Sequence, residues 1–308
     1  MNKKVAFIFP GQGAQYLGMG RDFYDNFTAA KAVFEEADQI LGYAFSELIF
    51  NGPAQELTLT KNSQLAIFIT SIAILRVYQE QNPEVEPAIC GGLSLGEYTA
   101  LVAAKKLSFK EALLLVQARG AFMDEACVNK PGTMHVVLGM EVSVACEALE
   151  GIAGVWIANL NCPGQIVISG TIQGVEAAAD LLKEKGARRV MPLVVSGAFH
   201  SGLMQSAQDK LAPLIQAASV LESSVDVVMN VPGSLVFNTE EMRKNMTEQV
   251  TKVVRWQGCI EAMVEAGVEQ FIEMGPGKTL AGMNKRIGVE VPTVSVEKIE
   301  ELEHAPVA

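Results

Sequence analysis

Short apolar runs alternate along the chain with longer segments of helical periodicity. Val5 to Phe9 and Pro87 to Gly92 are continuous apolar runs, each ended by a turn rich in glycine or proline. Such runs are typical of strands buried on both faces. Apolar residues recur at helical spacing over 28–41, over 61–81 and after Ser108, where Ser108 and Glu111 form a capping box. This alternation predicts an α/β fold with a doubly wound, mostly parallel sheet.

A different pattern occupies the middle of the chain. Between residues 128 and 195 the segments read strand, helix, strand, strand, helix, strand, which is the βαββαβ order of a ferredoxin-like unit. We therefore predict a large domain made of 1–127 and 196–308, with 128–195 inserted as a small domain. Helices over 202–218, 240–251 and 257–266, an irregular "VPGS" segment and the strand "QFIEMG" follow the insertion. The acidic tail "VEKIEELEHAPVA" is expected to fray.

Composition narrows the class of protein. The chain has 308 residues, of which 49% are hydrophobic and 19% charged, and its net charge is -11. An acidic surface argues against nonspecific binding of nucleic acid. The five cysteines form no C-x-x-C pair, which fits a reducing cytoplasm better than disulfides or a zinc site. The apolar run after the two N-terminal lysines is too short for a signal peptide, and no run is long enough to span a membrane. We predict a soluble cytoplasmic protein.

The stretch "GGLSLGEYTA", residues 91–100, places Ser94 between a predicted strand and a predicted helix. A tight turn there would expose the hydroxyl at the positive end of the helix, as in a nucleophile elbow. Serine is also a favoured N-cap residue, so the motif by itself leaves both interpretations open.

A serine nucleophile needs a base, and the chain has three histidines. His304 lies in the tail, and His135 lies inside a predicted strand, where a hydrogen-bonded structural role is expected. His200 follows a strand within "GAFHS", where catalytic groups collect in open α/β sheets. His200 is therefore the candidate base.

An oxyanion formed at the serine needs main-chain donors. The N–H of Leu95 directly follows the nucleophile, and "PGQGAQ" after the first strand offers Gln12 as the second donor. The same loop lacks the third glycine of a dinucleotide-binding fingerprint. "GPGKT" near the C-terminus lacks the first glycine of a P-loop.

Arg119 lies on the apolar stripe of its predicted helix, seven residues after Ala112. Two interpretations are open. The side chain could snorkel or form an internal salt bridge. Alternatively, it could point inward and bind a substrate carboxylate through a charge-assisted pair.

Six segments run in order through nearly the whole chain: "FPGQGAQ", "GLSLGEYTA", "QARGAFM", "ANLNCPGQIVISG", "GAFHS" and "EMGPGKTLAGM". Together they resemble the malonyl-CoA:acyl-carrier-protein transacylases and the acyltransferase domains of polyketide synthases. The resemblance implies a hydrolase-like large domain with a small domain that closes over the substrate. One position departs from many members, because Leu93 stands where they have histidine.

The resemblance also implies roles for individual residues. Ser94 would accept the acyl group, His200 would be its base, and Arg119 would bind the malonyl carboxylate. The family orients this histidine by a main-chain carbonyl, and the remaining matches are Gln12 and Leu95 in the oxyanion hole, Gln249 supporting the histidine, Gln64 lining the site, and Phe199, whose bulk would exclude the methyl group of methylmalonyl.

The implied reaction is ping-pong transfer of malonyl from malonyl-CoA to the phosphopantetheine thiol of acyl carrier protein. It needs no metal or other cofactor, because a thioester is already activated, and a monomer is expected. Docking of anionic partners needs local basic residues, and the candidates are Lys185, Arg188, Arg189, Lys278, Lys285 and Arg286. A serine thioesterase or lipase, a standalone polyketide-synthase acyltransferase and a non-catalytic carrier-protein adaptor are the alternatives. The Ser–His order fits an α/β-hydrolase poorly.

Overall fold

The computed structural model describes residues 3–304. Its strands are β1 (Val5–Phe9), β2 (Ile89–Gly92), β3 (Thr133–Leu138), β4 (Val155–Cys162), β5 (Gln165–Gly170), β6 (Arg189–Pro192), β7 (Asp226–Met229), β8 (Ser234–Val236), β9 (Gln270–Met274) and β10 (Thr293–Val296). Its α-helices are α1 (Arg21–Asn26), α2 (Thr28–Leu41), α3 (Phe45–Asn51), α4 (Ala54–Thr58), α5 (Thr60–Gln81), α6 (Gly96–Ala103), α7 (Phe109–Asn129), α8 (Val142–Leu149), α9 (Ile172–Glu184), α10 (Gln205–Ala217), α11 (Thr239–Glu248), α12 (Trp256–Glu265) and α13 (Thr279–Ile287). Short 3₁₀ helices cover Gly202–Met204 and Ile299–His304.

The larger sheet has the strand order β10-β9-β1-β2-β7-β8. All pairs in it are parallel except β7 with β8. In β1, Phe7 and Phe9 enter one hydrophobic cluster, while Ala6 and Ile8 enter another on the opposite face. Helices therefore cover both faces of this sheet, which explains its continuous apolar strands. The predicted α/β class with a mostly parallel sheet is confirmed.

The smaller sheet has the order β4-β5-β3-β6, and its pairs are antiparallel. Helices α8 and α9 pack on it around a core of their own. This is the topology that the βαββαβ pattern predicts. All four strands fall inside 128–195, whereas the division into domains at those boundaries stays a prediction.

Two segments differ from the sequence-based expectations. The region around "VPGS" is not irregular, because β7 and β8 form a hairpin there that extends the large sheet. The tail is not frayed up to residue 304. Strand β10 adds to the sheet, Ile299 and Leu302 pack against the core, and Lys278 forms an ion pair with Glu301. Apolar residues spaced among the acidic ones supply this packing. The last four residues lie outside the described part of the chain.

The carboxyl ends of the parallel strands β1, β2, β7 and β9 meet at one edge of the large sheet. Ligands of open α/β sheets bind at such an edge. Within residues 3–304, no helix combines the length and the apolar character needed to cross a bilayer.

Candidate active site

The turn after β2 has the geometry of a nucleophile elbow. Ser94 has a φ of 52°, in the left-handed region that non-glycine residues seldom occupy. A Cβ on Gly92 would collide with the main chain of Gly96, so the strand and the helix can approach this closely only with glycine. The N-cap of α6 is Leu95, and the Ser94 hydroxyl caps nothing. The helix-cap interpretation of Ser94 is therefore wrong.

His200 lies beside this serine. Its Nε2 is 2.8 Å from Ser94 Oγ, and its Nδ1 is 2.7 Å from the main-chain oxygen of Gln249. A carbonyl only accepts, so Nδ1 carries the proton and Nε2 is free to accept the serine proton. Helix α11 ends at Glu248, earlier than the predicted Thr251, and Gln249 is its C-cap. The main-chain carbonyl of Gln249 therefore has no partner within the helix and can accept a hydrogen bond from the histidine.

The environment of His200 keeps the imidazole neutral. Burial, followed by the positive charge of Arg119, lowers the pKa of His200 from 6.5 to about 4. A neutral imidazole is the form that can act as a base.

We expect acylation of Ser94 by a thioester with an uncharged acyl group, such as acetyl-CoA, to lose rate only as the pH falls through about 4. Protonated His200 cannot accept the hydroxyl proton, whereas an unperturbed histidine would lose activity near 6.5. Because the folded-state pKa lies below the unfolded one, the contribution of His200 to protein stability should be lost as the pH falls from 6.5 to about 4. Single-turnover acylation across pH measures the first effect. An acid limb near 6.5 would contradict this prediction.

Arg119 points into the site from α7 and is 1% exposed. Its Nη2 donates to Ser94 Oγ at 3.1 Å and to Gln249 Oε1 at 3.0 Å. Its Nη1 donates to Gln64 Oε1 at 2.5 Å. The guanidinium also lies over the ring of Tyr98, at 5.8 Å from the centroid. Both the snorkelling and the salt-bridge interpretations are wrong: the side chain is buried, and no carboxylate of residues 3–304 forms an ion pair with it.

The guanidinium keeps unused donor capacity. Its Nε–H has no partner among the described residues, and its other partners are neutral oxygens. A buried cation without an ion-pair partner favours an anionic ligand.

Of the two candidate oxyanion donors, Gln12 lines the cavity that also contains Ser94, and Leu95 follows Ser94 directly in the chain. Leu95 is buried directly after Ser94, and Gln12 lies in the loop after β1. Hydrogen bonds of loops and caps within the described chain use neither main-chain N–H. Both remain available to a ligand atom. The side chain of Gln12 is engaged separately, with its Nε2 donating to Thr60 Oγ1 at 3.4 Å.

Asn230 is a site residue that the sequence reasoning missed. It directly follows β7, and its Oδ1 accepts the Ser94 N–H at 2.7 Å. Its Nδ2 donates to the Gly92 oxygen at 2.8 Å, so this side chain holds both ends of the elbow. Gln249 Nε2 donates to the Ser94 oxygen at 2.9 Å. The sequence does contain a signal that could have identified Asn230. It is a polar residue directly after the apolar run "VDVVM", and the other loops of the site also follow apolar runs.

A cavity of about 470 Å³ opens above these residues. The elements around the large sheet contribute Ser94, Arg119 and His200, and the small sheet contributes a wall that includes Asn161. Phe199 is buried and lines the cavity, beside the histidine. Ligand pockets of small molecules have this size and this mixture of apolar wall and few polar groups.

The other predicted residues lie elsewhere. His135 is on β3. Its Nδ1 has no hydrogen-bond partner within residues 3–304, so the prediction of a hydrogen-bonded histidine is wrong for this ring nitrogen. Among the basic candidates, Lys278 pairs with Glu301, and Arg286 donates to Gln165. Nothing is described of the His304 side chain. No group of three metal-ligating side chains occurs in the described chain.

Comparisons with known proteins agree with this geometry. The family model described as "Acyl transferase domain" matches residues 6–302. The malonyl CoA-acyl carrier protein transacylase of Bacillus subtilis is 44% identical over 306 residues, covering 98% of this chain and 96% of the relative. The crystal structure of the malonyl CoA-acyl carrier protein transacylase of Clostridium perfringens superposes with a TM-score of 0.93 at 40% identity, covering 98% of this chain and 95% of that one.

A further solved structure contains a carrier protein. It is a type II PKS acyl-carrier protein in complex with its malonyl-transacylase, with a TM-score of 0.93 at 38% identity and 98% coverage of both chains.

The chain belongs to the acyl transferase family, and it is an acyltransferase enzyme. Within that family its curated relatives are malonyl CoA-acyl carrier protein transacylases, so the resemblance predicted from the six segments is confirmed.

Proposed function

We propose that the enzyme transfers a malonyl group from malonyl-CoA to the phosphopantetheine thiol of an acyl carrier protein through a malonyl-Ser94 ester. One observation carries this proposal. Ser94 Oγ lies between His200 Nε2 and Arg119 Nη2, at 2.8 Å and 3.1 Å, inside the cavity. A nucleophile beside both a neutral base and a buried cation that has no ion-pair partner suits an acyl donor that carries its own carboxylate.

The first half-reaction makes the ester. His200 Nε2 takes the hydroxyl proton as Ser94 Oγ attacks the thioester carbon, and the oxyanion is held by the N–H groups of Gln12 and Leu95. The C–S bond then breaks, and the coenzyme A sulfur leaves with the proton from His200. Arg119 binds the malonyl carboxylate throughout, which orients the carbonyl towards the serine.

The second half-reaction reverses these steps with a new thiol. The carrier protein's phosphopantetheine thiol gives its proton to His200 and attacks the ester carbon. The ester C–O bond breaks, and Ser94 regains the proton. No step calls for a metal, because the thioester carbonyl is already reactive. Gln249 and Gln64 support the site by holding His200 and Arg119.

Carrier docking would use basic residues near the small domain. Lys185, Arg188, Arg189 and Lys285 are exposed. We place the weight of docking on these four, since Lys278 and Arg286 already have partners. We further propose that the enzyme acts in the cytoplasm, as a monomer, in fatty-acid synthesis.

The direct test is intact-mass measurement of the purified protein after mixing with malonyl-CoA. A covalent malonyl adduct should form and should disappear when a carrier protein with a phosphopantetheine thiol is added. Peptide mapping should place it on Ser94. Absence of the adduct under conditions that support transfer would contradict the ping-pong route.

Phe199 should limit the size of the acyl group. We expect Phe199→Ala to raise kcat/KM for methylmalonyl-CoA relative to malonyl-CoA by roughly 10- to 100-fold, because one methyl group in a pocket is worth about 1 to 3 kcal/mol. Competition between the two thioesters, read by mass, measures the ratio. Phe237→Ala, at a ring 64% exposed, is the control and should leave the ratio unchanged. An unchanged ratio in Phe199→Ala would remove this residue from substrate selection.

A further inference from the structure

Glu97 is a buried acid that the proposed reaction does not use. It is the second residue of α6, three positions after the nucleophile, and it is 1% exposed. Its Oε2 accepts the main-chain N–H of Asn230 at 2.7 Å. Its Oε1 has no hydrogen-bond partner within residues 3–304. A buried carboxylate left half-satisfied is costly, so this oxygen calls for an explanation.

The groups that face Glu97 can be named from each neighbouring element. Arg119 on α7 is connected to Glu97 by a chain of hydrogen bonds. Arg119 Nη2 donates to Gln249 Oε1, Gln249 Nε2 donates to Asn230 Oδ1, and the Asn230 N–H donates to Glu97 Oε2. The two charged groups form no ion pair, but the positive charge of Arg119 lowers the pKa of Glu97. Tyr98 lies on the same helix, and Cys259 lies on α12. Burial raises the pKa of Tyr98 and of Cys259, so both stay neutral near pH 7. Gln249 contributes only its neutral amide.

Glu97 itself titrates near neutral pH. Burial raises the pKa of Glu97 to about 7, against the opposing effects of the Asn230 N–H and of Arg119. His200 stays neutral there, since its pKa is lowered to about 4. Near neutral pH the charge of this buried cluster therefore depends on Arg119 and on whether Glu97 holds a proton.

We propose that Glu97 is a positioning residue that sets how strongly Arg119 attracts the carboxylate of the substrate. Ionised Glu97 partly cancels the field of Arg119. When malonyl-CoA binds, its carboxylate and that of Glu97 then share one cation. Protonated Glu97 leaves the positive charge uncompensated, and the malonyl carboxylate becomes its sole counter-ion. This inference rests on the proposed function, because it needs a substrate carboxylate at Arg119.

Two consequences follow from thermodynamic linkage. Binding of malonyl-CoA should raise the pKa of Glu97 and take up a proton, and affinity should weaken as the pH rises through about 7. Acetyl-CoA lacks the carboxylate and should show neither effect. The elbow should remain in place in both states, because Oε2 accepts the Asn230 N–H with or without the proton.

Glu97→Gln tests this directly, because the amide keeps an acceptor for Asn230 and removes the charge. Binding is measured by calorimetry in a Ser94→Ala background, so that no turnover occurs. With Glu97 present, the Kd for malonyl-CoA should rise roughly 10-fold between about pH 6 and pH 8.5, since one unit of pKa displacement corresponds to a factor of ten. With Glu97→Gln, the Kd should stay at the low-pH value throughout. Acetyl-CoA should bind with the same pH dependence in both proteins.

Glu273→Gln is the matched control. This carboxyl on β9 is also fully buried and also has a raised pKa. Its oxygens accept from the N–H groups of Leu280 and Ala281, at 2.9 Å and 3.0 Å, and Arg119 is not among the groups that act on it. The variant should keep the pH dependence of malonyl-CoA binding seen with native Glu273.

The outcomes separate the inference from the proposed function. A Glu97→Gln protein whose malonyl-CoA affinity changes with pH as before would overturn the inference. So would an equal loss of malonyl-CoA and acetyl-CoA binding, which would make Glu97 merely structural. If Arg119→Ala leaves malonyl-CoA affinity unchanged in the same background, the assigned carboxylate site is wrong, and the proposed function fails with it.

Discussion

Replacing Ser94 with alanine is expected to lower malonyl transfer by at least about 10⁴-fold and to abolish the covalent adduct. His200 Nε2 and Arg119 Nη2 both contact this hydroxyl. Without this hydroxyl the thioester has no nucleophile to attack it. No ester intermediate then forms, and neither half-reaction can take place. Steady-state transfer and intact mass measure the two effects.

The fold should survive this substitution. The elbow is held through the main chain of Ser94, by the Asn230 and Gln249 side chains, and those bonds persist with alanine. Ser108→Ala is the control. It also removes a serine hydroxyl, but from the N-cap of α7, and it should leave transfer intact. An adduct that still forms on Ser94→Ala would show that another residue is acylated.

Replacing Arg119 with alanine is expected to lower kcat/KM for malonyl-CoA by roughly 100- to 1000-fold, or about 3 to 4 kcal/mol, since one partner of a buried charge pair is lost. Transfer of acetyl should be kept or increased, because an acetyl group has no carboxylate to bind. The ratio of the two rates is the measurement. A change in the ratio cannot arise from general loss of folded protein.

Arg243→Ala is the matched control for this prediction. Its side chain is 15% exposed and pairs with Glu240 on α11, away from the cavity. It should leave the ratio of malonyl to acetyl transfer unchanged. Equal losses for malonyl and acetyl in Arg119→Ala would mean that this arginine supports the elbow rather than the substrate.

Most of the architecture could be predicted from local patterns in the sequence. The period of apolar positions predicted β1, α2, the capping box at Ser108 and the whole βαββαβ unit, because these signals act within a few residues. It missed β7, β8 and β10. All three are short, and β8 and β10 are strands because of their pairing partners rather than their own composition.

The candidate site divides in the same way. Ser94, His200 and Arg119 could be singled out because a glycine-flanked serine, a strand-exit histidine and an arginine on an apolar stripe are each unusual in the sequence. Their mutual distances could not be predicted, since Ser94 and His200 are 106 residues apart in the chain. Asn230 went unnoticed, because an asparagine after a strand is ordinary until the strand order places it beside the elbow.

By itself, then, the sequence determined most of the elements and singled out the candidate reactive side chains, because these depend on periodicity and on residue chemistry. The tertiary structure decided which carbonyl orients His200 and that no carboxylate of residues 3–304 forms an ion pair with Arg119. It also decided that Glu97 is connected to Arg119 through Asn230 and Gln249. These facts depend on the order in which β1, β2 and β7 lie side by side. Strand order brings together groups more than one hundred residues apart, which no local pattern encodes.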